Sequence, residues 1–256
     1  MPILQVREVS KIYEGKISTK ALDHVSFRME EGEFVGIMGP SGSGKTSLLN
    51  VIATIDEPTS GTVCIAGQNP HELDQERMAL FRRRRLGFIF QHFNLLDTLT
   101  VEENIVLPLT LEGSPVQEMK RNAADLAERL GIARVLDKFP HEISGGQMQR
   151  TAIARAMIHH PSLLLADEPT GNLDSKSSRD VMEAFAMVND AKRAAILMVT
   201  HDAFAASFCH RVIFIKDGSM YNEIYRGDNR QAFFQKIIDM MSLLGGDTDH
   251  LSSSRL

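Results

Sequence analysis

Tryptophan is absent from this 256-residue sequence and cysteine occurs only twice. Cys64 and Cys209 lie far apart and form no Cys-x-x-Cys pair, which excludes a metal ribbon or a secreted disulfide framework and fits a reducing compartment. Excess positive charge is missing too: 28 basic against 33 acidic residues leave a formal charge of −5. Bulk electrostatics therefore do not favour nucleic acid or an anionic membrane as the partner. No apolar run approaches the roughly 18 residues of a membrane span; residues 194–200 are only strand-sized. The first ten residues lack the apolar centre of a secretion signal, so a soluble chain starting from the cytosol is expected. Internal repeats and low-complexity linkers are also missing, which argues against two chained domains. What is present is ordinary globular composition, 43% hydrophobic and 24% charged. A chain of this size buries about three quarters of its extended surface, enough for a core without staples.

Strand-like alternation marks residues 3–9, 21–29 and 33–38, with turn chemistry at Glu31 and Gly32. Residues 34–38 are nearly all apolar, as in a strand buried on both faces, and lead through a glycine-rich turn into a helical pattern over 46–55. A short strand at 62–66, a helical stretch and a buried strand at 86–90 follow. From 101 to 157 the periodicity is mainly helical; Met119, Ala123, Leu126 and Leu130 recur at helical spacing and Gly131 suits a C-cap. This insertion splits a β-containing core. Strands at 163–166, 194–199 and 212–216 then enclose a helix at 176–189, and such alternation predicts an α/β fold with a mostly parallel sheet covered on both faces. Near the end Phe233, Phe234, Ile237, Ile238, Met241 and Leu244 share one helical face, read as a helix packed on its own core ahead of a polar tail. A membrane-surface helix would want a basic polar face, whereas Arg230 and Lys236 are balanced by Asp228 and Asp239.

The turn after the first buried strand reads Gly39, Pro40, Ser41, Gly42, Ser43, Gly44, Lys45, Thr46, Ser47, and fits GxxxxGK[ST] between a strand and a helix. Its glycines let backbone N–H groups curl around phosphate oxygens, the helix N-terminus adds its dipole, Lys45 reaches the β- and γ-phosphates, and the Thr46 hydroxyl can ligate Mg2+. Alone, this loop implies a nucleoside triphosphate and leaves kinases, GTPases, helicases and transporters open. The strand at 163–166 runs into Asp167 and Glu168. Asp167 is placed to hold Mg2+ opposite Thr46, and Glu168 to polarise an attacking water as general base. Paired acids after an apolar strand are otherwise just a solvated strand end; the phosphate loop in the same chain reverses the odds.

Residues 143–147, Ile-Ser-Gly-Gly-Gln, open a helix about twenty residues before Asp167. The segment resembles the LSGGQ signature of the ATP-binding cassette (ABC) ATPases. Its bare chemistry is also that of a capping box, Ser144 answered by Gln147, and both readings hold together. The resemblance implies that Ser144, Gly145, Gly146 and Gln147 contact the γ-phosphate held by a second copy of the chain, with two ATP molecules sandwiched between the copies. It implies further that Tyr13 stacks on adenine, that Gln91 touches Mg2+ and the lytic water near a transporter partner, that Asp174 in Gly-Asn-Leu-Asp lies in a loop crossing the dimer interface, and that His201 orients γ-phosphate and water. Taken alone, Tyr13 would read as half-buried packing and Gln91 as an ordinary residue after a strand. The remaining His neighbours, His92 and the His159–His160 pair, read as surface or packing. The implied fold is a P-loop NTPase (RecA-like) core over residues 1–225, with an antiparallel β subdomain near the N-terminus, a helical signature subdomain at about 95–157, and a C-terminal helix and tail over 226–256.

The strings DEPTGNLDSK at 167–176 and GFIFQHFNLL at 87–96 are similar to the branch holding macrolide-exporter, lipoprotein-release and cell-division cassettes. NLLDTLTVEEN at 94–104, VIFIKDG at 212–218 and the tail pieces 230–235 and 243–246 resemble the bacitracin-export subfamily of peptide-antibiotic resistance and sensing. The resemblance implies an ATPase subunit on the cytoplasmic face of the membrane, peripheral through a separate permease and in contact through it with a sensor kinase. Alternatives are a lipoprotein-release, macrolide-export or cell-division cassette, and a cytosolic iron–sulfur assembly ATPase. Arg82, Arg83, Arg84 and Arg85 read as a solvated face, one of them pairing with an acid such as Glu72 or Asp74; no nucleic acid is expected.

Overall fold

The apolar run Phe34–Met38 (β3) is buried at every position, and the reason is visible in which core each residue feeds. Phe34 and Met38 enter one hydrophobic cluster, Val35 and Ile37 the other. Successive side chains of a strand point to opposite faces, so a strand covered on both sides needs no polar positions. Leu163–Asp167 (β6) and Ala195–Val199 (β7) follow the same rule: Leu164, Ile196 and Met198 face the first cluster, and Leu163, Leu165 and Leu197 the second. With Leu86–Ile89 (β5), Arg211–Lys216 (β8) and Ser219–Tyr225 (β9) they form a six-stranded sheet in the order β5-β6-β7-β3-β8-β9. All pairings are parallel except the β8–β9 hairpin. The computed structural model describes residues 2–15, 18–192 and 194–245, so the polar tail from 246 lies outside the described residues.

One face of this sheet packs on Lys45–Ile52 (α1) and on a three-stranded antiparallel sheet of Leu4–Tyr13 (β1), Thr19–Met29 (β2) and Ser60–Ile65 (β4). Strand β1 runs on to Tyr13, beyond the alternation seen at 3–9, because register shifts between Val6 and Ile12 break the period of two. The other face carries Val101–Leu111 (α3), Val116–Arg129 (α4), Gly145–Met157 (α5) and Ser175–Lys192 (α6). In α4, Ala123 and Leu126 are buried as the spacing predicts, and Gly131 takes a φ of +65° just past the helix. The last helix, Arg230–Leu243, also packs on this side: Phe233 and Ile237 are buried within it, as is Leu244 just beyond.

Two features depart from the sequence expectations. Strand β9 has no counterpart there, because as an edge strand it is at best half-buried and Tyr221 and Tyr225 stand in solvent. The arginines on Gln75–Arg85 (α2) pair elsewhere: Arg83 and Arg84 both meet Glu112 at the end of α3, at 2.6 and 3.1 Å, and Arg82 donates to the Thr54 carbonyl. Asp74 instead caps α2 by accepting from the Arg77 N–H. The two sheets are also tied by an ion cluster: buried Arg211 bonds Glu33 at 2.5 Å, the Glu223 carboxylate and the Arg28 carbonyl.

Candidate nucleotide site

Strand register builds the site first. Ile37 pairs with Val199, Val199 with Asp167 and Ala166 with Ile89, so the C-terminal ends of β3, β7, β6 and β5 stand side by side. That edge is where open parallel sheets receive ligands. The phosphate loop leaves β3 and enters α1 under close backbone contact: a Cβ on Gly39 would lie 2.1 Å from the Ile215 carbonyl, and one on Gly44, at φ +100°, 2.3 Å from that of Ala21. Only glycine fits at either place. Inside the loop the Ser43 hydroxyl is buried and makes no hydrogen bond. Buried Lys45 folds back, its Nζ donating to the carbonyls of Gly39 (2.9 Å) and Pro40 (2.7 Å). Burial holds its ammonium below the usual lysine range, while the Glu168 and Asp167 carboxylates oppose that shift. Ser41, Gly42 and Thr46 are exposed. Tyr13, at the end of β1, is 39% exposed rather than packed; its hydroxyl donates to Ser47 Oγ at 3.4 Å and the Lys11 ammonium sits 4.9 Å from its ring centroid.

Asp167 closes β6 with its carboxyl raised by burial and by neighbouring Glu168, against Lys45. Glu168 adopts a φ of +47°, a left-handed conformation held by its N–H donating to the Val199 carbonyl at 2.9 Å. His201 Nδ1 bonds Glu168 Oε2. That bond raises the imidazole above the usual histidine range, burial opposing. A base stabilised in its charged form contributes stability in full below its unfolded value and loses it as pH rises through the folded one. We expect the thermal midpoint of wild type to exceed that of His201→Ala most near pH 6, and the gap to close by about pH 9. The difference between the two proteins isolates His201 from His71, His159 and His210, which burial shifts downward and which act with the opposite sign. A gap independent of pH would contradict the ion pair.

The other motif residues form a second group. Ser144 caps α5 reciprocally: its Oγ accepts from the Gln147 N–H at 3.3 Å and its own N–H donates to Gln147 Oε1 at 2.9 Å. A Cβ on Gly145 would lie 3.2 Å from the Leu173 side chain, and one on buried Gly146 3.1 Å from that of Ser177. Asp174 accepts from the N–H groups of Lys176 and Ser177 and, at 2.6 Å, from Ser177 Oγ, and these bonds hold its carboxyl below the usual range. Gln91 follows β5, and its Nε2 donates to Asn172 Oδ1 at 3.4 Å. Asn172 and Arg155 are the residues that sequence reasoning passes over here: their partners lie about 60 to 80 positions away, at no recognisable spacing. Two concave clefts of about 360 and 410 Å3 are lined by other residues, around Met157 and Pro161 and around Arg28 and Arg211.

A family model described as ABC transporter matches residues 22–171, more than half of the chain. The chain belongs to the ABC transporter ATP-binding family. This ABC protein is 57% identical over 254 residues to the ATP-binding protein YxdL of Bacillus subtilis, covering 99% of both chains. It is 49% identical over 253 residues to the bacitracin export ATP-binding protein BceA of Halalkalibacterium halodurans, covering 98% of this chain and all of that one. Among solved structures, the dimeric post-hydrolysis cassette MJ0796 of Methanocaldococcus jannaschii, bound to ADP and Pi, superposes with a TM-score of 0.79 at 38% identity, over 87% of this chain and 98% of that one. The fold is therefore the P-loop NTPase cassette, and the ABC protein is an ATP-binding, ATP-hydrolysing subunit. Among the described residues no helix is long and apolar enough to cross a membrane.

Proposed function

We propose that this ABC ATPase powers a separate membrane permease for peptide-antibiotic export or resistance, and that two copies close over two ATP molecules. The observation that carries the catalytic reading is the convergence of Lys45, Asp167, Glu168 and His201 on one sheet edge, where Glu168 bonds His201 and its charge acts on the Lys45 ammonium, the Asp167 carboxyl and the His201 imidazole. Gly39 to Ser47 and Lys45 hold the phosphates, with Ser43 Oγ as a donor still lacking an acceptor. Tyr13 offers its exposed ring to the base. Glu168 takes the proton of the attacking water, and His201, bonded to that carboxylate, sets its direction. Ser144, Gly145, Gly146 and Gln147 of the second copy, with Asp174, complete the site across the interface.

The donor set also fits Mg2+: the Thr46 hydroxyl, Gln91 amide and Asp167 carboxylate are hard oxygen ligands. When bound, the cation would neutralise charge on the β- and γ-phosphates.

We assign residues 1–225 to the cassette, 95–157 within it to the helical signature subdomain, and 226–256 to an appended helix and tail. The likeness to the bacitracin export protein over nearly the whole chain supports the peptide-antibiotic reading and attachment to the cytoplasmic face through the permease. The test is co-purification of the tagged chain after mild detergent extraction. Recovery of a multi-span permease with a large extracytoplasmic domain supports the reading, and soluble scaffold proteins alone would overturn it in favour of iron–sulfur assembly. A sensor kinase in the same eluate would extend the role to peptide sensing.

A further inference from the structure

The chain leaves Gln91 through a tight, strained turn. Phe93 and Asn94 both have left-handed φ, +60° and +48°, a conformation that asparagine takes readily and that is costly for a bulky residue such as Phe93. Two side chains from distant parts of the sequence hold this turn, one at each end. Arg155, on α5, donates from Nη1 to the Asn94 carbonyl at 2.6 Å and from Nη2 to the Phe93 carbonyl at 2.9 Å. Asn172, in the loop between β6 and α6, grips the other end of the turn: its Nδ2 donates to the Gln91 carbonyl at 3.1 Å and to His92 Nδ1 at 2.9 Å, while its Oδ1 accepts from Gln91 Nε2 at 3.4 Å. The carbonyl partner fixes which end of the Asn172 amide carries nitrogen, and that in turn makes His92 Nδ1 the acceptor. Gly171 completes the fit, since a Cβ there would come within 2.7 Å of Gln91 Nε2. Asn172 is exposed and caps no helix, so these contacts are its own business with residues 91 and 92.

We propose that Asn172 is a positioning residue for ATP hydrolysis, clamping the Gln91 backbone and the His92 ring so that the Gln91 amide is held toward the nucleotide edge of the sheet. The inference rests on the reading of Gln91 given above. The clamp also gives the loop that carries Asp174 a direct grip on Gln91, so displacement of one segment moves the other.

Asn172→Asp keeps size and the Oδ1 acceptor but loses the N–H donor and sets a carboxylate against the Gln91 carbonyl. With ATP saturating, its kcat should fall roughly five- to tenfold, the size of one or two lost neutral hydrogen bonds. KM for ATP, affinity for a fluorescent ATP analogue and the thermal midpoint should stay at wild-type values. Hydrogen–deuterium exchange over 91–94 in the nucleotide-free chain should quicken. In a Gln91→Ala background Asn172→Asp should cost nothing more, because the residue it positions is gone. An unchanged kcat in Asn172→Asp overturns the proposal, as does a loss that multiplies with that of Gln91→Ala or one that follows the thermal midpoint. Gln91→Ala turning over at the wild-type rate would overturn the reading of Gln91 itself, and any rate loss in Asn172→Asp would then place that residue's action elsewhere.

Discussion

Glu168→Gln should stop ATP turnover while leaving ATP binding intact, with kcat reduced on the order of 10^2- to 10^4-fold, the range for losing a general base. Glutamine keeps the shape of the side chain but cannot accept the proton of the attacking water. In the proposed reading the phosphate loop binds ATP, and the bonds that seat Lys45 within it, to the Gly39 and Pro40 carbonyls, do not involve Glu168 side-chain oxygens. ATP-loaded copies should therefore accumulate as a closed dimer, read by size-exclusion chromatography with ATP in the buffer. Appreciable steady-state hydrolysis by this variant would sink the general-base assignment. The same substitution removes the carboxylate that contributes most to raising His201, so the stability gain of His201 at low pH should shrink with it.

Lys45→Ala should fail one step earlier. Its ammonium is the buried positive charge of the loop, held among the Gly39 and Pro40 carbonyls and facing Asp167 and Glu168. Charge-assisted bonds to phosphate are about twice as strong as neutral ones, and their loss from a buried site is expected to weaken ATP affinity by roughly 100-fold. Isothermal titration measures this directly. Thermal shift separates the variants: ATP should raise the midpoint of Glu168→Gln and not that of Lys45→Ala, because only a ligand bound to the folded state stabilises it. Equal ATP-induced shifts would contradict the division between binding by Lys45 and chemistry by Glu168.

Much of this was legible in the linear order of residues, for identifiable reasons. The buried strands β3, β6 and β7 are plain because both faces are covered, and such strands cannot hide a polar position. The phosphate loop is plain because its requirement is local: a strand, a backbone curl that only glycine permits at Gly44, and a helix start within a few residues. The Ser144–Gln147 capping box is local in the same way. Strand β9 was illegible because an edge strand need bury neither face, and β1 looked shorter than it is because bulges break its alternation.

Sequence by itself determined the chemistry on offer, a nucleotide loop, two acids, a strand-end histidine and a signature helix, because each is carried by neighbours in the chain. Only the tertiary structure decided which of these meet. Parallel register set Asp167 beside Val199 and Val199 beside Ile37, and so put Glu168 against His201 and both near Lys45. It gave Arg83 and Arg84 to Glu112 instead of the nearer acids Glu72 and Asp74, and laid Asn172 across Gln91 and His92 some 80 residues away. Such pairings depend on where whole strands and helices come to rest. That is a property of packing the two faces of the sheet, and no spacing in the chain encodes it.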